Sequence, residues 1–146
     1  MKTDTFPSFT IPVRMRFRDL DAYGHVNNAI MFSYLEEARI SLLGERFYDA
    51  SSHQDLQFLV KKASCEYIRP LLLTQAEILI TLCITQMRGA SFHIHYSIHD
   101  QQDVEYARAD THMVCFDPIR RRPARIPEWF MKHLHDTHEQ QQTGEN

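Results

Sequence analysis

The sequence predicts an α+β fold in which one long helix packs against an antiparallel sheet. The helix is indicated by residues 29–43, a run without glycine or proline whose apolar residues recur at helical spacing. The sheet is indicated by four later segments that alternate as β-strands do, with turn signals between them. Consecutive strands joined by short turns pair antiparallel. This order favours a sheet layered on one helix.

A half-buried strand is predicted before the helix. From Ile11 the pattern has a period of two residues, so Val13, Met15 and Phe17 are expected to face one way. The arginines between them are expected to face outward. Residues 1–10 are expected to form a loose lead-in.

The central helix is predicted to be largely buried. Its apolar stripe is broad and only a narrow polar wedge opposes it, so another layer is expected to wrap around it. The stripe comprises Met31, Tyr34, Leu35, Ala38 and Leu42, and the wedge comprises Ser33, Glu36 and Glu37.

The remaining elements follow from the same signals. Polar residues at 50–55 predict a loop. Pro127 is typical of the first turn of a helix and opens a short amphipathic one, after which residues 136–146 are expected to be a disordered tail. The four strands are predicted at 56–69, 76–87, 91–99 and 104–116.

Composition indicates one soluble globular domain spanning residues 1–146. The apolar content of 43% and charged content of 24% are ordinary for such a domain. A net charge of −3 gives no reason to expect nucleic acid as a partner. No apolar run approaches the roughly 18 residues of a membrane span, and the N-terminus lacks the apolar core of a signal peptide.

The cysteines point to a reducing compartment. Cys65, Cys83 and Cys115 are odd in number and widely spaced, and each lies in an apolar strand-like run. Buried thiols in the cytoplasm are the simplest interpretation. A catalytic cysteine is the alternative, but none lies at a helix start or beside a base that would activate it.

The junction between the first strand and the helix has residues suited to acyl chemistry. Asp19 and Asp21 end the strand, and Asn27 or Asn28 can cap the helix by accepting a bond from an orphan backbone N–H. The first N–H groups of a helix carry partial positive charge and can polarise a carbonyl oxygen. Asp21 could then attack the carbonyl carbon or activate a water. The alternative is that both aspartates are only turn acids favoured by the helix dipole.

Several motifs, in this order, resemble one protein family. The run D-x-D-x-x-G-H-V-N-N at 19–28, followed by Y-x-E-x-A-R at 34–39, resembles the 4-hydroxybenzoyl-CoA type of acyl-CoA thioesterase in the hotdog superfamily. The Tol–Pal-associated and long-chain acyl-CoA branches are the nearest. Segments similar to later strands and a hairpin of that family lie at 58–62, 66–70, 87–91 and 114–118.

The resemblance implies a hotdog fold, in which five strands, or six, wrap around one central helix. It implies hydrolysis of acyl-CoA thioesters to free acid and coenzyme A without a cofactor. The catalytic roles then fall on Asp21 as nucleophile or general base and on the backbone N–H of Asn28. His25 is a lesser candidate for positioning water or substrate, and Asp19 is expected to matter less than Asp21. The resemblance further implies a homodimer with shared active sites, or a dimer of dimers.

Coenzyme A carries phosphates, which bind lysine, arginine or backbone donors. With four glycines and no Gly-rich phosphate loop, the sequence excludes a nucleotide cradle of that type. Each candidate residue for binding these phosphates could equally be an ordinary surface residue. The candidates are Lys61, Lys62, Arg69, Arg88 and Ser91.

Histidines raise the question of a metal. His93 and His95 share one strand face, and His99 extends the row. Two histidines at this spacing can share a metal ion, but no third ligand can be identified from the sequence. A polar outer sheet face explains the same pattern, so no metal site is predicted.

Two other functions fit parts of the pattern. A hotdog dehydratase or hydratase acting on acyl thioesters would need a histidine paired with a carboxylate, and His25 is the histidine available for it. A non-catalytic acyl-thioester binder or partner protein is the other alternative. The length of the acyl chain, and coenzyme A as against acyl carrier protein, stay open.

Overall fold

The computed structural model describes residues 8–44, 56–73 and 77–144. It has the predicted α+β architecture, with an antiparallel sheet of six strands in the order β1-β3-β4-β5-β2 and β6 paired to β5. The elements are β1 Ser8–Arg14, α1 Asn28–Leu43, β2 Gln57–Tyr67, β3 Glu77–Arg88, β4 Ser91–His99, β5 Glu105–Asp117, β6 Arg122–Pro123 and α2 Glu128–Thr143. The predicted loop at 50–55 lies outside the described residues.

The core lies between one face of the sheet and α1. Every second residue is buried in β4 and in β3 as far as Ile84, as their alternation predicts. The predicted apolar stripe of α1 is also buried, and its polar wedge is exposed. Buried side chains at the centre include Ile80, Leu82, Ile84, Phe92, Ile94, Tyr34, Leu35 and Leu42. No helix among the described residues is long and apolar enough to cross a membrane.

The first strand differs from the prediction at both ends. It already begins at Ser8, so only residues 1–7 of the expected lead-in lie outside the described chain. It ends at Arg14, and a single 3-10 turn, Phe17–Asp19, follows. The turn breaks the two-residue alternation, and Phe17 is therefore 82% exposed, whereas Asp19 is buried.

The C-terminal helix is longer than predicted. It continues to Thr143, so the expectation of a disordered tail is wrong for residues 136–143. The Gln141 side chain donates to the Thr10 carbonyl at 3.2 Å and accepts from the Thr10 N–H at 3.3 Å. These are bonds that a neighbouring strand would make, and they cover the edge of the sheet at β1.

At the opposite edge of the sheet, no described strand pairs with the outer side of β2. Leu59 and Val60 are each 43% exposed there. An exposed edge strand with apolar side chains favours pairing with another chain.

The outer face of the sheet carries a stacked histidine pair. The rings of His93 on β4 and His112 on β5 lie 4.4 Å apart with 13° between their planes. Burial, and then the positive charges of His93, Lys61 and Lys62, lower the pKa of His112. The unfolded chain therefore binds this proton more readily than the folded one. The stability that this difference in pKa contributes is therefore complete above the ordinary histidine pKa, and it declines as the pH drops below that value.

Replacing His112 by glutamine is expected to flatten this decline, because glutamine does not titrate. Between about pH 7.5 and 5.5 the urea midpoint should fall less in His112→Gln than in the wild type. His135→Gln, at an exposed position of α2, is the control and should follow the wild type. Parallel profiles for His112→Gln and the wild type would contradict the prediction.

Candidate active site

A tight turn positions Asp21 between β1 and α1. Leu20 and Val26 form an isolated antiparallel bridge at its neck. Inside the turn, the Asp21 N–H donates to the His25 carbonyl at 2.7 Å, and the Gly24 N–H donates to the Asp21 carbonyl at 3.1 Å. Gly24 has a φ of +77°, a conformation that costs glycine little and other residues more.

The carboxylate of Asp21 is oriented by the same turn. Its Oδ1 accepts the backbone N–H of Tyr23 at 2.9 Å and that of His25 at 3.2 Å. No described residue donates to its Oδ2 in the structure, so this oxygen is available to a water or a substrate. His25 thus supports Asp21 through its backbone.

The helix begins as the sequence suggested, with Asn27 as the N-cap. Its side-chain oxygen accepts the Ala29 N–H at 2.8 Å, and its carbonyl accepts the Ile30 N–H at 3.0 Å. Among the described residues, nothing accepts a bond from the Asn28 N–H. It is a donor of the kind that lies at a helix N-terminus and polarises an approaching oxygen.

Asp21 and Asn28 line the same cavity, of about 250 Å³. Their side of it also includes His25, and the facing wall is built by the chain that leaves β2. Tyr67 ties the two sides together by donating its hydroxyl to the Asn28 carbonyl at 2.9 Å. The remaining lining residues are Val26, Met31, Ile68, Arg69, Pro70 and Leu71.

Asp19 has a different environment from Asp21. It is 1% exposed, and its Oδ2 accepts the Tyr34 hydroxyl at 2.6 Å and the Arg16 N–H at 3.1 Å. Burial raises the pKa of this carboxyl, but the Tyr34 and Arg16 hydrogen bonds outweigh it and leave the pKa lowered. The spacing of apolar residues placed Tyr34 in the helix stripe and did not indicate this contact.

The candidate residues for coenzyme A do not lie together within one chain. Arg69 lines the cavity and donates to the Glu105 carbonyl at 2.7 Å. Lys61 and Lys62 lie on β2 outside the cavity. Arg88 and Ser91 lie at the far end of the sheet. The end of β1 nearest Asp21 pairs with Glu77 at the start of β3, whereas Arg88 ends this strand and Ser91 begins the next one.

Cysteine and metal chemistry find little support at this site. None of the three cysteines lines the cavity, and all are free thiols. Burial raises the pKa of the Cys115 thiol to about 11, which disfavours the reactive thiolate. Among the described residues, no group of three or more His, Cys, Asp or Glu side chains could hold a metal ion.

Comparison with known proteins shows the family of this chain. Residues 15–134 match the thioesterase-like superfamily. The chain belongs to this family. An acyl-CoA thioester hydrolase, YbgC, from Escherichia coli O6:H1 is 30% identical over 122 residues, which are 82% of this chain and 90% of the relative.

Solved thioesterases have the same fold. The 1,4-dihydroxy-2-naphthoyl-CoA thioesterase Slr0204 from Synechocystis has a TM-score of 0.78 and 25% identity, covering 89% of this chain and 97% of its own. A thioesterase from Thermus thermophilus, solved with coenzyme A and zinc, has a TM-score of 0.72 and 28% identity, covering 93% and 98%. The predicted hotdog fold and thioesterase class are therefore confirmed.

Proposed function

We propose that this thioesterase hydrolyses acyl-CoA to a free acid and coenzyme A at the cavity between Asp21 and Asn28. The observation that carries the proposal is that one cavity is lined by both Asp21 and Asn28, whose N–H has no acceptor among the described residues. The names of the relatives favour an acyl-CoA substrate.

In the proposed mechanism, the thioester carbonyl oxygen accepts the Asn28 N–H at the start of α1. The partial charge of the helix N-terminus stabilises the negative charge that develops on this oxygen. Asp21 either attacks the carbonyl carbon through Oδ2 or takes a proton from the attacking water. Coenzyme A leaves as the thiolate and is protonated. A nucleophilic Asp21 forms a mixed anhydride with the acyl group, which water then hydrolyses, whereas with Asp21 as the base water supplies the hydroxyl of the acid directly. After a single turnover in ¹⁸O water, label in Asp21 identifies the nucleophile, because only opening of the anhydride at the Asp21 carbonyl places it there.

Coenzyme A is proposed to bind between two copies of the chain. Arg69 lies at the cavity, whereas Arg88 and Ser91 lie at the far end of the same sheet, roughly 35 Å away along β3. Antiparallel pairing of two β2 edges would place the start of the partner's β2 beside the end of this one. Gln57, at the start of β2, pairs with Phe116, which lies near the β3–β4 hairpin that carries Arg88 and Ser91. Such a dimer would therefore bring this hairpin of one subunit toward the cavity of the other.

The two sheet edges support this assembly. At β1, Gln141 occupies the backbone groups of Thr10, and Pro12 has no N–H to offer. At β2, Leu59 and Val60 lie exposed on an open edge. A homodimer through β2 is therefore proposed, and a dimer of dimers is its extension.

Charge at the β2 edge is expected to separate the subunits. The double variant Leu59→Glu and Val60→Glu should be monomeric, because the introduced carboxylates would lose water when the two edges pair. Its kcat/KM is expected to fall by about 10-fold or more, since each subunit then lacks the partner's coenzyme A contacts. Light scattering and thiol release measure the two effects. Ile119→Glu, at an exposed apolar residue outside the edge, is the control, and a fully active monomer would contradict shared sites.

Thiol release from short, long and aromatic acyl-CoAs, and from acyl carrier protein thioesters, tests the proposed function. Release of free thiol with at least one acyl-CoA is expected. Tight coenzyme A binding without release across the panel would contradict the proposal and favour a non-catalytic binder. Conversion of an enoyl thioester to its hydroxyacyl form would favour a hydratase.

The compartment proposed for the reaction is the cytoplasm. The free thiols of Cys65, Cys83 and Cys115 support it, because cysteines stay reduced there. No nucleic-acid partner is proposed.

A further inference from the structure

We propose that Asp19 and Tyr34 are positioning residues, which hold the Asp21 carboxylate in a set orientation to the N-terminus of α1. This inference rests on the proposed function of Asp21. The contact that carries it is the hydrogen bond of 2.6 Å from the Tyr34 hydroxyl to Asp19 Oδ2.

Backbone contacts close the turn that carries Asp21 at its neck, where it meets the start of α1. At the neck, the Asn27 N–H donates to the Asp19 carbonyl at 2.9 Å, and the bridge of Leu20 with Val26 lies just inside. These contacts join the turn to the first residues of α1. The turn is also attached to the segment after β2, where the Val26 N–H donates to the Leu71 carbonyl at 2.8 Å and His25 forms a bridge with Leu72. None of these contacts joins the turn to the body of α1, so they do not fix its angle to the helix axis.

The Tyr34 contact joins the turn to the body of α1. Tyr34 lies seven residues beyond Asn27, which is about 10 Å along the helix axis. Because Asp19 is held at both points, through its carbonyl by Asn27 and through its carboxylate by Tyr34, the turn cannot pivot about the helix start. Asp21, two residues further along, keeps its place relative to the Asn28 N–H.

The burial of this pair supports a role beyond stability. Asp19 is 1% exposed and Tyr34 is 0% exposed. Burying a carboxylate costs free energy, and an apolar pair of similar volume is often at least as stable. A polar contact here instead imposes one geometry through its directional hydrogen bonds, to Tyr34 and to the Arg16 N–H.

Tyr34→Phe tests the proposal because it removes only the hydroxyl. Its kcat is expected to fall by about 10- to 100-fold, since small displacements of a reacting group are costly. KM and the Kd for coenzyme A should change by less than about 3-fold, because no group that contacts coenzyme A is removed.

The chain offers a matched control in Tyr96. Its hydroxyl is also buried, 2.8 Å from the Thr111 hydroxyl and 3.3 Å from the Arg39 Nη1 that donates to it, but it lies on the sheet away from the cavity. Both Tyr96→Phe and Tyr34→Phe should lower Tm by a few degrees, but Tyr96→Phe should leave kcat within about 2-fold of wild type. Equal losses of kcat in the two variants would show a merely structural role and overturn the proposal.

A second variant separates geometry from charge. Asp19→Asn can still accept from Tyr34 through its amide oxygen, so it is expected to keep most of kcat. A loss in Asp19→Asn equal to that in Tyr34→Phe would mean that the buried charge sets the rate, and would overturn the proposal. So would an unchanged kcat in Tyr34→Phe.

Measuring Asp21→Asn beside these variants distinguishes two failures. An inactive Asp21→Asn with a fully active Tyr34→Phe would refute the positioning role alone. An active Asp21→Asn would refute the proposed role of Asp21 itself, whatever Tyr34→Phe does.

Discussion

Asp21→Asn is expected to lower kcat by about 10³-fold or more while the fold stays intact. The amide oxygen can still accept the backbone N–H groups of Tyr23 and His25 that orient this side chain. The uncharged group is, however, neither a competent nucleophile toward a thioester nor a base for water. A factor of 10³ corresponds to about 4 kcal/mol of transition-state stabilisation.

The measurement is thiol release under saturating acyl-CoA, with Tm and circular dichroism to show that the variant is folded. Asp103→Asn is a suitable control, because this side chain is 96% exposed in the turn between β4 and β5. It should keep the wild-type kcat. If Asp21→Asn turns over at the wild-type rate, Asp21 has no part in the mechanism.

Phe130→Ala is expected to destabilise the protein by about 3–5 kcal/mol, because it leaves a cavity in an aromatic cluster. Phe130 of α2 is fully buried, and its ring lies 5.0 Å from that of Phe58 and 5.3 Å from that of Phe92. The cluster joins the C-terminal helix to β2 and β4, so its loss should also loosen the cover over the β1 edge.

Urea unfolding at one fixed protein concentration measures this effect, since an oligomer gains stability with concentration. Phe17→Ala removes the same side chain from a position that is 82% exposed, and it should cost well under about 1 kcal/mol. Equal stability of Phe130→Ala and wild type would show that α2 contributes little to the core.

The geometry of the turn that carries Asp21 follows from residues close together in the sequence. Asp21, Gly24 and Asn27 lie within seven residues, and the bonds that form the turn and the helix cap join near neighbours. Residue types with strong preferences for turns and caps therefore indicate the geometry directly. The strands and α1 were predicted for the same reason, since periodicity reports which face is buried.

Local residue preferences could not predict the facing wall of the cavity. Tyr67 and Leu71 meet the Asp21 turn across about 40 residues of chain, and their place depends on the register between β2 and β5. The Tyr34–Asp19 contact was missed because tyrosine fits an apolar stripe as well as a hydrogen-bonding role. The longer α2 was missed because polar residues suggested solvent, whereas Gln141 binds the backbone of an edge strand.

The sequence by itself determined the α+β class, the buried helix and the acid ahead of its capped start, because these follow from residues close together in the chain. Only the tertiary structure decided that Asp21 and Asn28 share a cavity, that Asp19 is buried, and that one sheet edge is covered whereas no described residue pairs with the other. Those features depend on strand register and on packing between distant segments, which local preference does not encode.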